Sequence, residues 1–433
     1  MTASPLLALT GRLFDGEKLW PHAMVLLRGG RVLEVAEHLP LPEGTEVLDA
    51  GPEATILPGL VDLHVHARPH YARWFPEAGV TTVRDAGNSL DMLAELRALA
   101  FTGKGPHVFG AGTILDGSDS IFRHFGEGVL GEVGDRAAGA WAIHHPEEAR
   151  AAVDALAAAG VETVKLYEQL PPAAYAAAVR RAQEHGLPVM TDLGTRWTRG
   201  LNGAQVDALE ALGLGVRTVE HATGFALAFQ RLGFDPTTQF PDEGLLDRFA
   251  RAVVEAEAVL VPTLSVHEGL RQARRADLGR LPHGRRTGET ADSLRAMWDG
   301  LHAATAPLQP TAAWDARLAA ALTRRVLDLG GQVGAGTDTP AGVDNLPGGG
   351  LHAELEHLVT QAHLTPTEAL RAATGTAGRL LAQGGQPSVG VLRPGAHADA
   401  LIVEGDPARD IMATRRLRTV VRAGRVWTVG VSA

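Results

Sequence analysis

The chain has 433 residues, 45% of them hydrophobic, and a formal net charge of −10. This length allows one large and one smaller folded unit around a substantial core. The negative charge argues against general attraction to nucleic acid or anionic membranes, and no apolar run is long enough to span a bilayer. Cysteine is absent, which excludes disulfides and thiolate chemistry. The first residues lack the basic start and cleavage site of a signal peptide, so the cytoplasm is the expected location.

Short β-like runs, separated by Gly, Pro and Asp, occupy both ends of the chain. The first are LLALTGRLF, AMVLLRGGRVLEVAEH and TEVLDA, and the last are ADALIVEG and TVVRAGRVWTV. Because chain termini often lie close together, we expect residues 1–56 and 381–433 to pair into one small β-sandwich.

Residues 57–380 alternate between apolar strand-like runs and amphipathic helical patterns. The predicted strands are LVDLHVH, VTTVRD, HVFGAG, VETVKLY, LPVMTDL, VRTVEH, AVLVPTL and GQVGAGTD. The predicted helices span 70–78, 89–100, 146–159, 172–185, 203–213, 243–257, 311–330 and 351–363. Eight strands, each followed by a helix, predict an α/β fold of the (β/α)8 TIM barrel type. An open doubly wound sheet gives a similar alternation, but the count of eight and the polar strand ends favour the barrel.

Two connections, 112–145 after the third strand and 265–310 after the seventh, are long for a compact domain. Both leave the carboxyl ends of barrel strands, where this architecture builds its active sites. We therefore expect them to determine which substrate is bound, although the arginine-rich part of the second is typical of a solvent-exposed helix and loop.

His64 and His66 lie at the end of the first barrel strand, in LVDLHVH. Side chains alternate along a strand, so both imidazoles share one face while Val65 points to the other. Imidazole is a common ligand of metals such as zinc. The pair alone is equally well explained as two hydrogen-bonded histidines, but its position at a strand end favours half of a metal site.

Asp338 ends the eighth strand, in GAGTDTP. Strand 8 of a closed barrel lies beside strand 1, which places Asp338 opposite the two histidines. A carboxylate there can bind metal and take a proton from bound water. A turn aspartate before Pro340 is the structural alternative.

Lys165 stands in the apolar fourth strand, VETVKLY. The chain has 40 basic residues, and only Lys18, Lys104 and Lys165 are lysines, so a lysine in a buried strand is hard to explain by chance. A buried ammonium group is costly unless it is paired or modified. Reaction with carbon dioxide would give a carbamate that can bridge two metal ions, whereas a side chain reaching solvent is the alternative.

Two further strand ends carry metal-competent groups. His221 ends the sixth strand, with Glu220 expected to point away from it, and Asp192 lies near the end of the fifth. Together with the histidine pair, Lys165 and Asp338, they form a set that can hold two cations.

Four residues are candidates for substrate binding. Tyr167 stands two residues after Lys165 and therefore shares its face of the strand. The other three lie in or beside the long connections: His124, Arg123 and His267. For each of the four, a structural or surface role is an equally good explanation.

The chain resembles the amidohydrolase superfamily along nearly its whole length. The motifs that carry the resemblance are GRLFDG, ILPGLVDLHVH, GVTTVRDAG, VETVKLY, VRTVEHATG, GAGTDTP and VGVLRPGAHADALIVEGDPARDI. The phrases GTDTP, LHAELEHLV and LTPTEALRAATGTAGRLL are similar to prolidase-like and imidazolonepropionase-like members. The resemblance implies a TIM barrel with an appended β-sandwich and a binuclear metal site, usually of zinc.

The resemblance also implies a role for each candidate ligand. His64, His66 and Asp338 match the ligands of one metal. His221 matches a ligand of the other, and Lys165 matches the carboxylated lysine that bridges the two. Asp338 further matches the residue that moves a proton from the attacking water to the leaving group.

One position departs from the family's pattern. Members usually carry a histidine on strand 5, where this chain has Asp192. A carboxylate still binds metal, but it changes the charge of the second site and puts that metal in question. It also argues against a deaminase-type member, whose single metal needs the strand-5 histidine.

The residues and the resemblance together predict a metal-dependent hydrolase that cleaves an amide-type C–N bond by a metal-activated water, with Asp338 as proton shuttle. The expected substrates are dipeptides or N-acyl amino acids. The expected cofactors are one or two divalent ions, zinc first, and carbon dioxide as a carbamate on Lys165. A cyclic amide (imidazolone or lactam), a carbamate or an ester is the alternative substrate class. An inactive barrel that serves as a binding protein is the alternative of another class, favoured only by Asp192. Assembly into a homo-oligomer is left open.

Overall fold

The computed structural model describes residues 5–194, 204–271, 289–305, 309–342, 345–382 and 388–428. Within these ranges the β-strands are β1 Leu6–Phe14, β2 Leu19–Arg28, β3 Arg31–Ala36, β4 Glu46–Asp49, β5 Ala54–Pro58, β6 Leu60–Val65, β7 Val80–Asp85, β8 His107–Gly110, β9 Ile114–Asp116, β10 Leu130–Gly131, β11 Ala140–Ala142, β12 Val164–Leu166, β13 Val189–Thr191, β14 Thr218–Glu220, β15 Val259–Val261, β16 Gln332–Val333, β17 Ala400–Glu404, β18 Leu417–Arg422 and β19 Arg425–Thr428. The α-helices are α1 Trp74–Glu77, α2 Leu90–Phe101, α3 Pro146–Ala158, α4 Pro172–Glu184, α5 Ala208–Leu214, α6 Thr223–Arg231, α7 Glu243–Glu255, α8 Leu264–Arg271, α9 Glu289–Thr305, α10 Gln309–Asp328, α11 Gly349–Thr360, α12 Pro366–Ala372 and α13 Gly375–Leu381.

Both ends of the chain contribute to one eight-stranded sheet, in the order β19-β18-β17-β5-β1-β2-β3, with β4 beside β1. β17 runs antiparallel to β5 and pairs Ile402 with Ile56. One face of this sheet buries Leu9, Val25 and Ile402 in a core of its own, because side chains alternate along each strand. The two ends thus pair in a single hydrogen-bonded sheet, while the expected β-sandwich and its bounds stay a prediction.

The eight predicted central strands are all present, as β6, β7, β8, β12, β13, β14, β15 and β16. Together with β9, β10 and β11 they form two parallel sheets, in the orders β6-β7-β8 and β10-β11-β9-β12-β13-β14-β15-β16. Hydrogen bonds outside the regular ladders link the sheets at both borders. At one border Glu162 N donates to Gly110 O at 3.0 Å, and at the other the bonds include Leu63 N to Ala335 O at 2.9 Å. The α/β class and the parallel arrangement are confirmed, whereas the regular ladders do not close into one ring.

The helical patterns located α2, α3, α4, α7, α10 and α11 to within a few residues. The segment 70–78 is instead a 3₁₀ turn, Pro69–Tyr71, followed by the four-residue α1. The helix expected over 203–213 begins only at Ala208, where Asp207 and Glu210 form a capping box; residue 203 itself lies outside the described ranges. Of the helices in those ranges, none combines the length and the hydropathy that crossing a membrane requires.

The two long connections contain structure of their own. Connection 112–145 holds β9, β10, β11 and a 3₁₀ helix, Ile121–His124. In 265–310 the described residues form most of α8, α9 and the start of α10. Both connections leave the carboxyl ends of parallel strands, on the side of the sheets where the candidate ligands lie.

Candidate metal centre

Six candidate ligands lie at the carboxyl ends of the parallel strands, which share one edge of the fold. They are His64 on β6, His66 directly after it, Lys165 on β12, Asp192 after β13, His221 after β14 and Asp338 after β16. The structure therefore brings together side chains that are far apart in sequence. Their distances separate them into two overlapping groups.

The first group consists of His64, His66 and Asp338. Asp338 Oδ1 lies 3.3 Å from His66 Nε2 and 3.5 Å from His64 Nε2. A hydrogen bond of 2.6 Å from Asp338 N to His64 O fixes the end of the eighth strand against β6. One ligand atom from each residue lies within 4.8 Å of the others, a spacing that suits a single cation.

The second group shares His64 and adds Asp192 and His221, again with ligand atoms within 4.8 Å of one another. Asp192 Oδ2 lies 3.0 Å from His221 Nε2 and 3.4 Å from Lys165 Nζ. Lys165 is buried, with 1% of its surface exposed. Burial lowers the pKa of His221, but Asp192 and Asp338 together raise it, and the net shift is upward. Asp192, which stands where a histidine was expected, thus lies in the same cluster as His64, His221 and Lys165.

Three strand ends turn sharply at this centre. The φ angles of His221, Thr263 and Asp338 are 63°, 46° and 59°, a left-handed region that few residues other than glycine adopt. Each such residue costs about 1–3 kcal/mol and persists only where its surroundings hold it. The turn at His221 also shows that one expectation was wrong. Glu220 and His221 do not point in opposite directions, because both contact His64: the left-handed φ of His221 ends the alternation directly after β14.

Glu220 supports the centre from within the fold. Its Oε2 lies 2.7 Å from His64 Nδ1, and its Oε1 accepts from Arg84 Nη2 at 2.8 Å; all three side chains are buried. An ionised carboxylate can only accept, so Nδ1 of His64 carries the proton and Nε2 presents its lone pair to the cluster. Metal-bound histidines usually donate their other ring N–H to a carboxylate in this way, which fixes the orientation of the ring. The sequence did not predict this role for Glu220 or Arg84. The only signal for it was that each is a charged residue inside an apolar strand.

His221 is held in a similar way from the side of β15. Its Nδ1 lies 2.6 Å from Thr263 Oγ1, and its carbonyl oxygen lies 3.1 Å from His267 Nε2. His267 lies on helix α8, whose first residues are bound by Glu354 of α11. The two carboxylate oxygens of Glu354 accept from Leu264 N at 3.0 Å and from Ser265 N at 2.7 Å. Glu354 therefore fixes the start of the helix that packs behind His221.

Electrostatics keep Asp338, Glu220 and His64 in the forms that a metal site requires. Burial raises the pKa of Asp338, but His66 and His64 lower it further, to about 2. Burial likewise raises the pKa of Glu220, and Arg84 and His64 bring it down to about 2. Burial and the charge of Lys165 lower the pKa of His64 to about 4. At neutral pH the carboxylates are therefore ionised and His64 is neutral, as metal ligation requires.

The four predicted substrate-binding residues lie in three different environments. Tyr167 is half-buried, and the centroid of its ring lies 5.9 Å from Lys165 Nζ. Arg123 and His124 are exposed, and Arg123 Nη2 pairs with Asp119 Oδ1 at 2.9 Å. His267 is fully buried against the backbone of His221. Substrate binding by these four residues stays a prediction.

Glu354 gives the fold a pH dependence that can be measured. Burial raises its pKa to about 7, from the ordinary 4.5. A carboxyl group with a raised pKa contributes stability below its ordinary pKa and loses that contribution as the pH rises through its folded value. We expect Glu354→Gln to remove this titration. The unfolding free energy of the wild type, minus that of the variant, should therefore fall by about 3 kcal/mol from pH 4.5 to pH 8.

Urea unfolding of both proteins across this pH range measures the effect. Glu356→Gln is the matched control, since Glu356 lies on the same helix but faces solvent and Arg415. A difference between wild type and Glu354→Gln that stays constant with pH would show that Glu354 does not titrate in this interval.

The donor set fits a divalent cation. Imidazole nitrogen and carboxylate oxygen are ligands that zinc and related metals accept. Two of the donor atoms, His64 Nε2 and Asp192 Oδ1, are buried and form no hydrogen bond with the residues that the structure describes. Buried polar atoms are nearly always paired in folded proteins. A cation between the two groups would satisfy both.

Comparisons with known proteins show a family match and similar structures. The sequence model of the amidohydrolase family matches residues 55–427 of the chain. Ochratoxinase from Aspergillus niger is 37% identical over 101 residues, which are 23% of this chain and only 20% of that enzyme. The crystal structure of A. niger ochratoxinase has a TM-score of 0.68 at 20% identity, covering 98% of this chain and 96% of that one. A proposed prolidase from Bifidobacterium longum has a TM-score of 0.69 at 23% identity, covering 99% and 96%.

The two structural likenesses are too distant in sequence to show more than a shared fold. The family match is different, because it spans most of the chain and includes every strand end of the candidate centre. The chain therefore belongs to the amidohydrolase family.

Proposed function

We propose that the protein is a metal-dependent hydrolase that cleaves an amide-type C–N bond. The observation that carries the proposal is the convergence, at one edge of the parallel strands, of two groups of metal-competent side chains that share His64. Such groups are expensive to bury, and a protein that did not use them would gain stability by replacing them with apolar residues.

We assign one cation, zinc first, to His64, His66 and Asp338. A second would lie with Asp192 and His221. The neutral amine of Lys165 would add carbon dioxide and release a proton, and the resulting carbamate would take the place of the bridging ligand. The short distance between Lys165 and Asp192 supports this placement, because both side chains face the same space.

The chain's own residues supply proton transfer and orientation. A bound divalent cation lowers the pKa of a coordinated water and polarises a carbonyl oxygen. Asp338, ionised at neutral pH and 14% exposed on its side chain, is placed to accept the proton of the attacking water and to donate it to the leaving nitrogen. Glu220 and Thr263 keep the imidazoles of His64 and His221 in fixed orientations.

The substrate assignment rests on the connections around the centre. Dipeptides or N-acyl amino acids are the proposed substrates, with Tyr167, Arg123, His124 and His267 as proposed contacts. A cyclic amide, a carbamate or an ester would use the same attack on a carbonyl carbon, so these are the alternative substrates. The similarity to an ochratoxinase and to a prolidase is compatible with an amide substrate.

We also propose that the central strands form a (β/α)8 barrel. The hydrogen bonds that link the two parallel sheets at both borders support closure. In this division the barrel spans 57–380, and residues 1–56 and 381–433 form the appended β-domain.

Metal counting joined to a substrate screen tests the function. The purified protein is expected to hold one or two divalent ions per chain and to hydrolyse at least one member of a panel of dipeptides, N-acyl amino acids, lactams and esters. Lys165→Ala should lower metal occupancy, and added bicarbonate should not restore it. Lys104→Ala is the matched control, because Lys104 is an exposed lysine that lies far from the centre in the fold.

Metal-free protein that stays inert after addition of zinc or manganese with bicarbonate would contradict the hydrolase and favour a binding protein. Full metal occupancy in Lys165→Ala would remove Lys165 from the centre while leaving the hydrolase itself in place.

A further inference from the structure

Three aromatic side chains form a continuous row beside the candidate metal centre. The ring centroids of Tyr167 and Phe122 lie 5.0 Å apart, and those of Phe122 and Phe125 lie 6.0 Å apart. These distances are in the range where aromatic rings attract one another. We call these three residues the aromatic row.

The inner end of the row adjoins the centre. Lys165 Nζ lies 5.9 Å from the centroid of the Tyr167 ring. Burial and the negative charges of Asp192 and nearby acidic groups raise the pKa of Tyr167 well above its ordinary value. The Tyr167 side chain is therefore within electrostatic reach of the metal-competent carboxylates.

Tyr167 differs from the other two tyrosines of the chain. The hydroxyl groups of Tyr71 and Tyr175 are buried and donate to His66 O and Thr191 Oγ1, at 2.6 and 2.7 Å. They stabilise the fold. Tyr167 is half-buried, and its hydroxyl forms no hydrogen bond with the residues that the structure describes. It is thus available to a ligand.

The outer end of the row is open to solvent. Phe125 is 63% exposed, and among the large hydrophobic residues in the described ranges only Phe101 is more exposed. The segment is held in place by Ser120, whose Oγ accepts from Phe122 N at 3.1 Å and caps the 3₁₀ helix Ile121–His124. The row therefore starts at the centre and ends at the surface of connection 112–145.

We propose that the aromatic row is a subsite for an aromatic ring of the substrate. This inference rests on the proposed function and narrows it, because the amide would carry an aryl group close to the bond that is cleaved. Aromatic residues make up only 5% of the chain, so three in contact beside the centre are not expected from composition. A row of ring faces binds another ring with little loss of side-chain entropy, since each aromatic side chain has only two rotatable bonds.

Binding to an inactive variant tests the subsite independently of turnover. The zinc-loaded full chain with Asp338→Asn is titrated with two pairs of probes: N-benzoylglycine against N-acetylglycine, and N-acetylphenylalanine against N-acetylalanine. We expect the aromatic member of at least one pair to bind about tenfold more tightly. Adding Phe122→Ala or Phe125→Ala should reduce that ratio about fivefold each, whereas Phe122→Tyr should retain it.

Phe101→Ala is the matched control, because Phe101 is an even more exposed phenylalanine at the end of α2. The ratio of aromatic to non-aromatic binding in this variant should equal that of the parent. The subsite is refuted if neither pair shows an aromatic preference, if no probe binds, or if the preference survives Phe122→Ala. Aromatic preference in binding without turnover by the wild type would leave the subsite standing and overturn the proposed hydrolase. Turnover of non-aromatic amides by the wild type, with no aromatic preference in binding, would support the hydrolase and refute the subsite.

Discussion

Asp338→Asn is expected to lower turnover by about a thousandfold while leaving the metal in place. Proton transfer by a positioned side chain contributes about 10²–10⁴-fold to the rate. An asparagine oxygen can still face His64 and His66 at the same position, but at neutral pH it takes no proton from water. The pKa of about 2 for Asp338 means that the wild-type carboxylate is ionised at neutral pH and can therefore accept a proton.

The measurement is turnover of the best substrate from the screen, together with metal content per chain. Asp328→Asn is the control, since Asp328 is a half-exposed aspartate at the end of α10 that pairs with Arg324. Turnover of Asp338→Asn equal to that of wild type would exclude Asp338 as proton acceptor. Loss of metal together with activity would assign Asp338 mainly to ligation.

Glu220→Gln is the second change with a large expected effect, although Glu220 is not itself a proposed ligand. In the wild type, both carboxylate oxygens accept: one from His64, the other from Arg84. In the variant, the amide oxygen would stay with the Arg84 guanidinium, which can only donate. The amide nitrogen would then face His64 Nδ1 and donate to it. His64 would shift its proton to Nε2 and lose the lone pair that points into the cluster.

We therefore expect zinc affinity to fall 10- to 100-fold, the usual loss when the second-sphere partner of a ligand is changed. Breaking a buried ion pair also lowers the unfolding free energy, by about 3–5 kcal/mol. Competition with a chelating dye measures the first quantity, and urea unfolding of the metal-free protein measures the second.

Asp399→Asn separates these two effects. Asp399 is a buried carboxylate next to Arg422, in the sheet formed by the chain ends and away from the candidate ligands. Its substitution should destabilise the fold without changing zinc affinity. If Glu220→Gln binds zinc as tightly as wild type, then Glu220 is a structural ion-pair partner and does not orient His64.

The position of Asp192 decides how the second half of the centre works. Asp192 contacts both His221 and Lys165, and these neighbours lower its pKa although burial raises it. An ionised carboxylate at this position carries a charge that histidine would not. The second cation would therefore be held by more negative charge than in family members with histidine, unless Lys165 remains an ammonium group and neutralises Asp192 itself. Metal stoichiometry distinguishes these two states.

The sequence by itself determined the features that depend on local periodicity and composition. The alternation within β6 places His64 and His66 on one face, whatever the rest of the chain does. The eight central strands and six of the helices follow from apolar periods of two and 3.6 residues. Lys165 stood out because a lysine-poor chain places one of its three lysines in an apolar strand.

Other features depended on contacts between distant segments, which no local pattern records. Glu220 and His64 are 156 positions apart, and their hydrogen bond exists only because β14 and β6 face the same interior. Local alternation even gave the wrong direction for Glu220, since the left-handed φ of His221 arises from the packing around the strand end. In the same way, the burial of His267 behind His221, the cap that Glu354 places on α8, and the aromatic row became visible only in the tertiary structure. The sequence at the strand ends predicted the ligand types. The side chains that orient those ligands come from elements that are distant in sequence and adjacent only in the folded structure.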